Sequence, residues 1–213
     1  DDFSEVPIHV YPTSALVPYF ARVYDSLTVN AQVAWDSQGL HAFFNVVYDS
    51  GNVLLPETDA GDDLWYGDSI ELYLKSTTPL TGYYDGVTSD PGAIQILAVP
   101  DSPGTPRSGI YTANGTPSGS LPPGSIAAQN LGTSYTLEVF VPWTASGGAP
   151  TTGQIGFDLG IDYQSRPPAQ PNQGQQWLVG FNAQPPSTLP AGCTNGEAAA
   201  CDDRTWCQPI LAP

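Results

Sequence analysis

The segment around residues 65–71 combines an aromatic ring and a carboxylate at a spacing that suits a hydroxyl-rich ligand. Trp65 and Glu71 are six residues apart, so a strand that runs through both places them on one face. A flat ring can stack on the C–H face of a sugar, and a carboxylate can accept hydroxyl hydrogens in charge-assisted bonds. In the alternative interpretation, Trp65 caps the end of the fold and Glu71 pairs with Lys75 or with a neighbouring strand.

Acidic residues crowd the segment that leads into this strand. Aspartates occupy five positions between residues 49 and 68: Asp49, Asp59, Asp62, Asp63 and Asp68. Oxygen ligands of this kind suit calcium, although the spacing is not that of an EF-hand loop. A calcium site and a solvated acidic loop are both compatible with the pattern.

Side chains that could support catalysis are scarce. His9 and His41 are the two histidines of the chain, and no Ser-His-Asp arrangement can be argued from them. Glu71 and Glu138 are candidates for a carboxylate pair that hydrolyses glycosidic bonds, but an acidic chain offers such pairs by chance. We therefore expect a protein that is not an enzyme.

The charge of the chain limits its partners. Five basic residues against 21 acidic ones give a formal net charge of −16, which repels nucleic acid and anionic membranes. No apolar run approaches the ~20 residues of a membrane span, so we expect no membrane insertion. The chain starts at Asp1 without a basic and apolar leader, as a mature or trimmed product would.

Three cysteines lie close together near the C-terminal end: Cys193, Cys201 and Cys207. The cluster predicts one disulfide that staples a loop, and hence an oxidising compartment, either secreted or at the cell surface. Three pairings are possible, and we expect Cys193 to pair with Cys201 or Cys207. A zinc site is less favoured, because no histidine is nearby and a fourth ligand is missing.

Alternation of apolar and polar residues is the main structural signal, and helical periodicity is nearly absent. It predicts half-buried strands at 29–35, 69–75, 94–99, 135–143 and 155–162, and at 40–48 a strand that is apolar on both faces and lies in the middle of a sheet. Such strands indicate an all-β, jelly-roll-like sandwich of two antiparallel sheets, and we predict a single domain over residues 1–213. Long loops are expected at 50–64, 100–125, 164–176 and 182–205, with one short strand around residues 110–112 in the second of them.

Four motifs in this order resemble those of family 9 carbohydrate-binding modules. Residues 65–74 carry the most distinctive one, Trp-x-x-Asp-Ser-Ile-Glu-Leu-Tyr-Leu. The others are the Val-Ala-Trp-Asp hairpin at 33–36, the Tyr-x-Leu-Glu-x-Phe-x-Pro-Trp strand at 135–143 and the Gly-x-Ile-Gly-Phe-Asp strand at 153–158. The resemblance covers roughly residues 29–162. It implies a two-sheet sandwich, often with bound calcium, that is appended to a polysaccharide-degrading enzyme or displayed outside cells.

The resemblance also implies where a glycan binds. Trp65 matches one of the two tryptophans with which the family grips a sugar, and Gln95 is the polar residue on the strand where the family carries an arginine. The expected ligand-binding residues are Trp65, Glu71, Gln95, Trp177 and Trp206, and the expected calcium ligands are Asp49 and Asp68. The alternative is a structural or adhesive domain that kept the fold without the sugar site.

Overall fold

The computed structural model describes residues 27–48, 64, 67–77, 92–102, 105–112, 116–162, 206 and 211. These residues form nine strands: β1 (Leu27–Trp35), β2 (Gly39–Tyr48), β3 (Ser69–Lys75), β4 (Ile94–Ser102), β5 (Thr105–Thr112), β6 (Thr116–Gly119), β7 (Ile126–Asn130), β8 (Ser134–Pro142) and β9 (Gly156–Asp162). A short 3-10 helix, Trp143–Ser146, follows β8. No helix in this described part of the chain is long and apolar enough to span a membrane.

The strands make two antiparallel sheets that pack face to face. One sheet has the order β1-β2-β8-β7 and the other has the order β6-β5-β4-β3-β9. Alternate residues of each sheet point inward and form one core, which includes Phe44, Ile70, Leu72, Leu137 and Leu159. The predicted two-sheet antiparallel sandwich is therefore confirmed, because the same alternation that identified the strands also selects their inner faces.

Two strands of the five-stranded sheet, β3 and β9, are covered on both faces, which differs from the half-buried strands that the alternation predicted. Every residue of β3 and β9 is buried. The outer face carries a second apolar cluster made of Leu64, Leu97, Val99 and Tyr111. The polar side chains of β3 and β9 on that face, Glu71 among them, are therefore shielded from solvent.

The stretch 100–125 contains more strand than the one short segment around residues 110–112 that was expected in a long loop. β5 and β6 both lie in this stretch, and β5 pairs with β4 across a bulge. The Pro, Gly and Ser content of the segment disfavours strands intrinsically, but pairing with a buried neighbour overrides that preference. Pro117 is tolerated in β6 because this strand lies at the edge of the sheet.

The turn between β1 and β2 is fixed by the side chain and the backbone of one aspartate. Asp36 Oδ1 accepts hydrogen bonds from the backbone N–H groups of Gln38, at 2.7 Å, and Gly39, at 3.0 Å. These bonds lower the pKa of Asp36 from its ordinary value. The indole N–H of Trp143 donates to the Asp36 carbonyl oxygen at 2.9 Å, so the core holds the turn in place.

Candidate functional site

The outer face of the five-stranded sheet gathers polar and aromatic side chains in cross-strand rows. Residues that face each other across paired strands share a face and lie about 5 Å apart. One row runs Tyr111, Gln95, Tyr73 and Asp158, and the next runs Gly109, Leu97, Glu71 and Gly160. A third row pairs Ser69 with Asp162 and Arg107 with Val99.

Glu71 is the centre of a hydrogen-bonded group in these rows. The Tyr73 hydroxyl donates to Glu71 Oε2, and Gln95 Nε2 donates to the same oxygen at 3.0 Å. The Trp206 ring lies against Tyr73, with the ring centroids 5.6 Å apart and the planes inclined by 43°. The structure thus brings together Glu71, Gln95 and Trp206, three of the residues predicted to bind ligand.

The members of this group differ in their access to solvent. Glu71 is 4% exposed and Trp206 is 3% exposed, whereas Tyr73 is fully buried. Gln95 is half-buried and is the member that solvent reaches most easily. A Glu71 carboxylate can only accept hydrogen bonds, so the amide nitrogen of Gln95 faces it. The Gln95 carbonyl oxygen is therefore left to accept a hydrogen bond from another group.

Asp162 extends the group towards the end of the sheet. Burial raises the pKa of Asp162 well above its ordinary value, and the charge of Glu71 and a hydrogen bond with Glu71 raise it further. The Ser69 hydroxyl donates to Asp162 Oδ2 at 2.7 Å and opposes that shift. Two buried carboxyl groups in contact favour a shared proton or a bound cation over two full negative charges.

Asp68, one of the predicted calcium ligands, lies at the same end of the sandwich and is 1% exposed. The Tyr48 hydroxyl donates to Asp68 Oδ2 at 2.8 Å. The pKa of Tyr135 is raised well above its ordinary value by burial and then by the charges of Asp68 and Asp162. Within the described ranges, no group of three or more His, Cys, Asp or Glu side chains is arranged to hold a metal ion.

Several predicted residues lie outside the described residues. Among the predicted ligand-binding residues these are Trp65 and Trp177, and among the predicted calcium ligands it is Asp49, which follows Tyr48 in the chain. The three cysteines predicted to supply a disulfide, Cys193, Cys201 and Cys207, also lie there. Their contributions stay predictions.

Arg107 was missed by the sequence analysis. It is half-buried on β5 and pairs with Val99, so it shares the outer face with Glu71 and Gln95. We had noted that the strand at 94–99 supplies Gln95 where an arginine is expected. The alternation Arg107, Gly109, Tyr111 was the available signal, and the assignment of this stretch to a loop concealed it.

The two glutamates considered for glycoside hydrolysis point in opposite directions. Glu71 lies on the outer face of the five-stranded sheet, and Glu138 is an exposed residue on the outer face of the four-stranded sheet. Packed sheets are about 10 Å apart before outward side chains are added. Carboxylates of a hydrolytic pair lie roughly 5–9.5 Å apart, so these two cannot flank one glycosidic bond.

The fold resembles those of solved carbohydrate-binding proteins, although no family model and no curated protein matches the chain. A family 9 carbohydrate-binding module from Caldicellulosiruptor kristjanssonii, solved in complex with cellotriose, superposes with a TM-score of 0.51 at 11% identity, over 85% of this chain and 73% of that one. A proposed carbohydrate-binding protein from Bacteroides uniformis gives a TM-score of 0.44 at 10% identity, over 73% and 69% of the two chains. The chain therefore has the fold of a family 9 carbohydrate-binding module, as its motifs predicted.

Proposed function

We propose that this domain binds a neutral glycan, without catalysis, at the outer face of the five-stranded sheet. The observation that carries the proposal is the hydrogen-bonded group of Glu71, Tyr73 and Gln95 beside the Trp206 ring. The group fixes the amide of Gln95, its half-buried member, as a polar edge for a sugar hydroxyl. Tyr73 and Trp206 are buried and support this edge from beneath. A solved protein of this fold is in complex with cellotriose, an uncharged oligosaccharide.

In this proposal the buried carboxylate acts through Gln95. Glu71 fixes the orientation of the Gln95 amide, so that the Gln95 carbonyl oxygen accepts a hydrogen bond from a sugar hydroxyl. Trp65 supplies the stacking face. Trp177 completes the rim, and the buried Trp206 supports the group through its contact with Tyr73. A pre-organised acceptor of this kind binds without the cost of ordering a mobile side chain.

Glycan binding should depend on this group. Trp65→Ala, Glu71→Gln and Gln95→Ala are each expected to weaken binding about five-fold to more than a hundred-fold, because each removes a stacking face or a directed hydrogen bond worth ~1–3 kcal/mol. A glycan array with the intact domain identifies the ligand, and calorimetry then measures the variants. Glu71→Gln conserves volume, and thermal melting checks that it still folds.

Gln129→Ala is the matched control for Gln95→Ala, since Gln129 is exposed on the opposite sheet. If the wild type binds a glycan and all three site variants bind it equally well, the site is misplaced. If the wild type binds no plant, microbial or host glycan, a structural or adhesive domain becomes the better interpretation.

We also propose a structural calcium ion at the Asp68 end of the sandwich, with Asp49 as its second carboxylate. The donor types fit, since calcium prefers carboxylate oxygens. Asp68 and Asp162 are buried and close enough for the charge of Asp68 to raise the pKa of Asp162. A bound cation would relieve this repulsion between neighbouring carboxylates.

The cysteine cluster supports an extracellular location, either in a larger secreted enzyme or on a cell surface. We expect Cys193 to pair with Cys201 or Cys207, which leaves the third cysteine free, buried or bonded to another chain. Thiol titration of the denatured, unreduced protein should therefore find at most one reactive group. Three reactive thiols per chain would contradict both the disulfide and the compartment inferred from it.

A further inference from the structure

The outer face of the four-stranded sheet carries a groove that the proposed site does not use. Its volume is about 660 Å³, which is within the range of ligand pockets in general. β1, β2 and β8 form its floor, and the 35–36 turn and residues 124–125 form its ends. It lies on the side of the sandwich opposite to Glu71.

The floor of the groove alternates aromatic and polar side chains. One cross-strand row reads Gln32, Phe43, Glu138 and Ala127, and the adjacent row reads Ala34, His41 and Phe140. Each row has an alanine at one end, Ala127 in the first and Ala34 in the second. Phe43 and Phe140 are half-buried, whereas Gln32 and Glu138 are exposed.

Hydrogen bonds hold one end of the groove in a defined geometry. His41 Nε2 lies 3.3 Å from Asp36 Oδ2, and the other oxygen of Asp36 accepts the two backbone bonds of the turn. The His41 ring also lies against Phe140, with the centroids 4.8 Å apart. The aromatic pair and the carboxylate thus lie side by side at this end of the groove.

The charges in the groove select the ligand. Asp36 and Glu138 are hydrogen-bond acceptors, and no lysine or arginine occurs among the described residues that line it. An anionic ligand would be repelled. A second copy of the chain is disfavoured too, because a symmetric contact would place the carboxylates of both copies together and each chain carries a net charge of −16. A neutral chain of sugars offers hydroxyl donors to the carboxylates and C–H faces to the rings.

We propose that this groove is a second binding site for a neutral polysaccharide. The inference extends the proposed glycan-binding function to a separate surface. Because the two sites face opposite ways, a short oligosaccharide cannot reach both, so each domain should bind two oligosaccharides and should link separate polysaccharide chains.

The test uses calorimetry with uncharged hexasaccharides of β-glucan, xylan and mannan, together with affinity electrophoresis in gels that contain the matching soluble polysaccharides. Glu138→Gln, Gln32→Ala and Phe140→Ala are each combined with Glu71→Gln. We expect Glu71→Gln alone to leave about one oligosaccharide bound per domain, and each groove substitution to weaken that remaining binding about five-fold or more.

Thr28→Ala is the control, since Thr28 is exposed on the same face of β1 but outside the groove. Glu138→Gln and Gln32→Ala change exposed residues, so the test survives even if Phe140→Ala does not fold. If the groove variants lose binding while Trp65→Ala and Glu71→Gln bind as the wild type does, the placement of the first site is overturned and the groove is supported. Groove variants that bind as the control does, or that dissolve a dimer seen by analytical ultracentrifugation, would overturn the second site.

Discussion

Replacing Trp143 with alanine is expected to lower the free energy of unfolding by about 3–5 kcal/mol, the usual cost of removing a large aromatic side chain from a core. Trp143 is 3% exposed and belongs to the central core. Its indole N–H donates to the Asp36 carbonyl, and its backbone N–H donates to the Gln38 carbonyl at 3.0 Å. The substitution therefore empties part of the core and also releases the turn that the ring supports.

Trp143→Phe separates the two effects. It keeps most of the apolar volume and loses the indole hydrogen bond, so we expect it to cost about 1–2 kcal/mol. Urea unfolding followed by circular dichroism measures both variants. A cost below about 1 kcal/mol for Trp143→Ala would contradict the assignment of this side chain to the core. Since Asp36 lines the groove, the alanine variant should also weaken any glycan binding there.

Removing calcium is expected to lower the melting temperature by about 5–10 °C. Binding to the native state alone contributes about 2.7 kcal/mol when the free ion is at a hundred times its dissociation constant. For a chain of this length each kcal/mol corresponds to roughly 2–4 °C. The comparison is between thermal melts in millimolar calcium and in an excess of chelator at the same ionic strength.

Asp68→Asn should abolish the difference between these two conditions, because it removes a buried carboxylate from the proposed ligand set. Asp36→Asn is the control, since Asp36 is an exposed aspartate at the β1–β2 turn and its loss should leave the calcium dependence intact. Equal melting temperatures of the wild type with and without the chelator would remove the calcium ion from the proposal.

The sequence by itself determined that the protein has two packed sheets and which side chains of β3 point into the core between them. Alternation along β3 assigned Ile70, Leu72 and Leu74 to the inner face and placed Glu71 and Tyr73 on the outer one, and the structure agrees. This information is local, because the strand geometry sends successive side chains to opposite faces whatever the rest of the chain does. Gln95 entered the predicted site through the resemblance, as the polar residue on the strand where the family carries an arginine.

Only the tertiary structure decided which side chains meet and which are covered. Ser69 and Asp162 are 93 residues apart in sequence, and Glu71 meets Asp162 because β9 pairs with β3. Strand order and register follow from long-range packing, so local periodicity does not reveal them. Arg107 lies on the outer face because a segment that contains proline and glycine pairs with β4 and forms β5. Alternation alone predicted that Glu71 is exposed, but its burial depends on which residues pack over the sheet. Trp206, from the far end of the chain, is one of these covering residues.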